Sequence, residues 1–140
     1  MRFFGLLFLA SAMLAQAPNY QNVATMSQLM VNIIYPSSNA IFYVQREAPK
    51  NEKEWIDLQN NAMMLAESGN LLMLPGRARD QGDWIKDSKA MVDVGAAAYK
   101  AALEHDADAL VALNVQLNDS CVNCHTAYRP NYGKKRRPNN

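Results

Sequence analysis

Chemistry in this 140-residue chain concentrates in one short run, Cys121-Val122-Asn123-Cys124-His125. The chain has two cysteines and two histidines in all, and this run holds both cysteines and one histidine. Cys-x-x-Cys-His is the spacing that attaches haem c. Two thiols add to the two vinyl groups of the macrocycle, and the adjacent histidine binds the iron from one side. On a helix turning about 100° per residue, Cys121, Cys124 and His125 project within a sector of about 100°. One helical face can therefore hold the macrocycle edge and the iron together. Other uses of the run fit less well. A structural zinc site needs four ligands, and His105 is the sole remaining histidine or cysteine. A thioredoxin-like pair belongs in a βαβ context, and a disulfide is awkward within one helical turn. The expectation is a single covalent haem c, with Cys121 and Cys124 as the thioether donors and His125 as the proximal iron ligand.

The elements that must position this run read as helices. Alanine, leucine, methionine and glutamine are abundant, β-branched runs are few, and no segment reads as a strand. A first helix is expected from about Asn22 to Gln45, with Val23, Met26, Met30, Ile33, Ser37, Ala40, Ile41 and Val44 on one face. Pro36 lies inside it and has no N–H for the Asn32 carbonyl, so a kink or break is expected there. A second helix starts near Asn51, which with Glu54 resembles a capping box. It runs to about Ser68-Gly69 and buries Trp55, Leu58, Ala62, Leu65 and Met63. The linker Leu74-Pro75-Gly76-Arg77-Ala78-Arg79 carries strong breaker signals. A third helix runs from about Asp80–Asp83 to Glu104 with a narrow stripe of Trp84, Ser88, Met91, Gly95, Ala98, Tyr99 and Ala102. The small residues in it admit a close neighbour. The fourth, about Asp106 to Tyr128, turns Leu110, Leu113, Leu117, Cys121 and Cys124 inward and ends at Pro130. The fold expected is an all-α antiparallel four-helix bundle with covalent haem c, its first helix kinked at a proline.

The ends are set apart from that domain, which spans residues 18–130. Arg2, the apolar stretch Phe3 to Leu14 and Ala15-Gln16-Ala17 have the layout of a secretory signal peptide over residues 1–17. The protein is therefore expected in the periplasm or otherwise exported, the compartment in which haem c is attached. No later stretch reaches the roughly 18 apolar residues of a membrane span. Lys134, Lys135, Arg136 and Arg137 crowd the end of residues 131–140, a basic tail expected to be disordered, while the body before it is net acidic. A basic run can mark nucleic-acid binding, but an exported protein seldom meets that partner, and none is expected.

With the haem run only fifteen residues from the end, after four helices, the chain resembles the cytochrome c-prime family, including its cytochrome c-556 branch. The resemblance covers most of the mature chain and rests on two stretches. One is Cys121-Val122-Asn123-Cys124-His125-Thr126-Ala127-Tyr128-Arg129, in which an aromatic and a basic residue continue the haem motif. The other is Ser27-Gln28-Leu29-Met30, similar to the methionine-bearing segment of the c-556 type. The resemblance implies that Arg129 lies near the haem propionates. A guanidinium can pair with a carboxylate through two hydrogen bonds, although a cation at a helix C-terminus is also favoured by the dipole alone. It further implies that the residue facing His125 across the iron comes from the first helix, and Met30 matches, with Met26 one turn away. Met63, Met64, Met73 and Met91 read as packing or surface residues, and His105 as an exposed helix-end histidine.

The implied function is one-electron transfer through a His/Met-ligated haem, since that ligation raises the potential. Two alternatives stand beside it: a five-coordinate gas-binding protein of the c-prime type with an open distal site, taking NO or CO, and a haem subunit docked on a larger redox enzyme. The redox partner is unspecified. Family members often pair through their first helices, which makes a homodimer one option, while the apolar stripe fits a monomer equally well. No serine–histidine–acid set and no carboxylate cluster with a base is present, so enzyme activity is not expected.

Overall fold

A computed structural model of the chain describes residues 20–133. The signal peptide expected at 1–17 and residues 134–140 of the basic tail lie outside them. Among the described residues every regular element is helical: α1 (Met26–Leu29), a π-helical turn (Met30–Ile34), α2 (Tyr35–Tyr43), α3 (Glu52–Leu72), α4 (Asp83–Leu103), α5 (Ala107–Ala112) and α6 (Asn114–Tyr128). These make four helical runs, because α1, the π turn and α2 are continuous and α5 passes into α6 through Leu113 alone.

The first run starts at a capping box. The Thr25 side chain accepts from the Gln28 N–H at 3.2 Å, and Gln28 returns a side-chain oxygen to the Thr25 N–H at 2.9 Å. No break occurs at Pro36. The backbone stays helical through it, and the register loosens just upstream, where the Tyr35 N–H reaches back five residues to the Met30 carbonyl. That extra residue changes which side chains face inward. Leu29 and Ile34, five apart, are both buried, a pairing that the extra residue of a π turn favours. Val23, expected on the inner face, is instead 86% exposed ahead of the helix.

The second run is capped as its sequence suggests. Asn51 Oδ1 accepts from the Glu54 N–H at 3.0 Å, while the returning Glu54 carboxylate takes the Lys50 N–H at 2.7 Å. α3 buries Trp55, Leu58, Ala62 and Leu65 and continues to Leu72; Met63 is exposed, on the face away from the core. α4 buries the whole expected stripe except Tyr99, which is half-buried.

Hydrogen bonds at both ends fix the direction of packing. Trp84 Nε1, early in α4, donates to the Leu72 carbonyl at the end of α3, and Gln59 Nε2, early in α3, donates to Ala102 late in α4. α3 and α4 therefore run antiparallel. Tyr128, ending α6, meets Trp84, starting α4, edge to face at 5.0 Å. Asn114, starting α6, donates to Gln45 beyond α2 at 3.2 Å. The molecule is a helical bundle, and its core joins all four runs through residues such as Ile41, Leu65, Val94 and Leu117. No described helix is long and apolar enough to cross a membrane.

Candidate functional site

α6 delivers Cys121, Cys124 and His125 to one end of the bundle. Leu117 and Ser120 are buried one turn earlier, which turns the same face inward, and Cys124 is buried while Cys121 and His125 are half-buried. The two thiols are not bonded to each other. They line a narrow cavity of about 40 Å³ with His125, Met30, Ile34, Leu72, Ser88 and Met91. Cys124, His125 and Met30 also border a wider opening of about 310 Å³, whose rim includes Met26, Val31, Arg79, Trp84, Tyr128 and Arg129. The structure thus brings Met30 to the cavity that His125 lines, across 95 residues of sequence. Met26 reaches only the wider part.

Electrostatics suit neutral groups here. Burial pushes the Cys121 thiol up, partly offset by the neighbouring Ser120 hydroxyl. Burial, the Asp87 carboxylate and Cys121 push Cys124 up to about 11. Both are protonated near neutral pH, unlike the acidic, exposed thiolates of redox-exchange pairs. Burial, with the Arg129 charge behind it, lowers His125, so the imidazole is neutral and its lone pair is available to a metal. Tyr132 lies 5.2 Å from the His125 ring, and the Arg129 guanidinium sits 5.8 Å over the same tyrosine.

Three residues of this site carry no obvious signature in the sequence. Ser88 is 1% exposed, lines the narrow cavity, and its hydroxyl has no hydrogen-bond partner. A buried hydroxyl left this way costs about 1–3 kcal/mol, which is offset where a ligand's polar atom reaches it. Arg79 arrives from the breaker-rich linker. Asp80 beside it accepts the Tyr128 hydroxyl and the N–H groups of Gly82 (2.8 Å) and Trp84 (3.2 Å). That hydrogen bond lowers Asp80 and, with some burial, pushes Tyr128 up to about 12. The Asp80-x-Gly82 turn signal was readable, its long-range partner was not.

His105 lies at the other end of the bundle and takes no part in the site. It adopts φ 54° at the C-terminus of α4 and stacks on Trp55 at 4.7 Å, with Glu52 3.6 Å away. Among the described residues no three His, Cys, Asp or Glu side chains gather as a metal site.

The residues fit a haem c by chemistry: two protonated thiols and a neutral imidazole on one helical face, a thioether sulfur on the facing run, mostly apolar walls, an unpartnered buried hydroxyl, and arginines at the rim. The wide opening is at the lower end of the usual 300–1,000 Å³ of ligand sites. No protein-family model, no curated protein and no solved structure matches this chain.

Proposed function

We propose that the protein is an exported mono-haem c-type cytochrome that carries single electrons, of the four-helix kind its sequence resembles. The observation that carries the reading is that the Cys-x-x-Cys-His face of α6 and Met30 of the π turn line one cavity. When bound, the haem supplies an iron that cycles between ferric and ferrous states. The chain's own residues do the rest. Cys121 and Cys124 would hold the ring to α6, each thiol adding its S–H across one vinyl double bond. His125, its imidazole neutral, would hold the iron through a ring nitrogen, and Met30, which lines the same cavity, would supply a thioether sulfur, a pairing that favours the ferrous state. Ile34, Leu72 and Met91 line the narrow cavity and would keep water from a group bound there, so that a charge change on it would be little screened.

The test is expression in a host that matures c-type cytochromes, followed by denaturation and mass analysis. The expected result is one haem retained covalently, lost in Cys121→Ala/Cys124→Ala; no retained haem in the unsubstituted chain rejects the reading. The long-wavelength band of a ferric His/Met haem should be present and should vanish in Met30→Ala. A high-spin spectrum with rapid CO binding in the unsubstituted protein would instead favour an open distal site.

A further inference from the structure

Between α3 and α4 the chain crosses the mouth of the site and is fastened on both sides of it. Toward the first run, Arg77 Nη2 donates to the Ala24 carbonyl at 3.3 Å. Toward α6, Asp80 takes the Tyr128 hydroxyl as well as two backbone N–H groups of its own turn. Gly76 permits the crossing with φ 82°, and a Cβ there would come within 3.0 Å of Asn22 Nδ2. Arg79 lies between the two fastenings. Its side chain borders the wide opening together with Met30, His125 and Arg129.

Two guanidiniums therefore meet one cavity, Arg79 from the linker and Arg129 from the end of α6. Among the described residues neither belongs to an ion pair. The nearest carboxylate in sequence, Asp80, is already committed to three donors. Like charges at one mouth repel, and an anion between them turns that cost into two charge-assisted contacts. The rest of the rim adds the apolar Met26, Met30 and Val31, Trp84, and the uncharged hydroxyls of Ser27 and Tyr128, so the charge preference rests on these two residues.

We propose that Arg79 is a second anion-binding residue of the site. With Arg129 it takes the carboxylates at the rim of the bound haem, and the Asp80–Tyr128 bond is the latch that holds the linker in position for it. This inference rests on the haem reading above. Tyr128 and Asp80 are positioning residues, acting through Arg79. A cation held at the rim opposes the loss of an electron, so removing it should favour the ferric form.

The experiment uses the haem-loaded full chain in spectroelectrochemistry and resonance Raman. Arg79→Gln should lower the reduced-to-oxidised ratio at fixed potential by ~3- to 10-fold, which is about 30–60 mV for one electron. The effect should shrink as salt screens the rim, and the haem carboxylate bands should shift. Arg79→Lys should restore most of the potential. Tyr128→Phe, which breaks the latch without changing the charge, should reproduce part of the shift and add nothing to Arg79→Gln, because residues acting through one group are not additive. Haem retained covalently with an Arg79→Gln potential and Raman bands identical to the parent overturns this inference and leaves the haem reading intact. A Tyr128→Phe shift that adds fully to that of Arg79→Gln overturns the latch. No covalent haem in the parent chain overturns both.

Discussion

The seam between α3 and α4 and the seam where α4 meets α6 and the π turn are built from opposite choices of residue size. On the first, a Cβ added at Gly95 would sit 2.7 Å from the Ala66 backbone nitrogen, and one at Gly69 would meet Val92 at 2.6 Å. Backbones approach until only hydrogen fits. On the second, sulfur-bearing and branched side chains stand around a cavity, and a hydroxyl on that same α4 is left without a partner. One helix thus presents a closed face and an open face. The closed face holds the bundle together, and the open face is where a prosthetic group can be received.

The comparison can be broken at its closed side first. Gly95→Ala puts a methyl against backbone that cannot yield and should cost about 1–3 kcal/mol by overpacking, read by denaturant unfolding; a loss below a few tenths would mean the seam is not closed. On the open side, the effect of Ser88→Ala should depend on occupancy. Without haem it should stabilise by about 1 kcal/mol, since an unsatisfied buried hydroxyl is removed. With haem the gain should disappear. A gain of equal size in both states would mean the hydroxyl never meets the group.

The far end of the bundle offers a control that the site should not feel. His105 holds a left-handed backbone that costs a side-chain-bearing residue about 1 kcal/mol or more, offset by its stack on Trp55. His105→Ala keeps the strain and loses the stack, whereas His105→Gly loses both, so the glycine variant should be the more stable by about 1 kcal/mol. Neither should alter the absorption spectrum. The smallest effect is a titration. Tyr128 should ionise near 12 and return toward its ordinary value of about 10 in Asp80→Asn, followed by NMR of labelled tyrosine. Its folded value is raised and that of Asp80 lowered, so the latch contributes fully between the ordinary carboxylate and phenol values. It fades in acid as Asp80 protonates and in alkali as pH rises through about 12.

Much of this was legible in the chain. The α4 stripe was readable because small and large residues alternate at helical spacing, and the Asn51 cap because its partner is three residues away. The face carrying Cys121, Cys124 and His125 follows from one helical turn. What escaped depends on long-range pairing or on register. Leu29 and Ile34 lie beside the stripe drawn through Met26, Met30 and Ile33, and the π turn, which no local spacing announces, brings both inward. Met63 keeps helical spacing yet falls just outside the buried arc of α3. Arg79, Ser88 and the Tyr128–Asp80 contact join segments tens of residues apart, and no local rule pairs them.

The π turn has a consequence for how this site could change over generations. Removing one residue from Met30–Ile34 would restore an ordinary helix and swing everything ahead of it by about 100° relative to α2. Met30 would leave the cavity without being substituted, and a different side chain would come round to meet His125. Which side chain stands opposite His125 in the cavity is thus set by a count of residues as much as by their identity, and a single-codon deletion would exchange one for another.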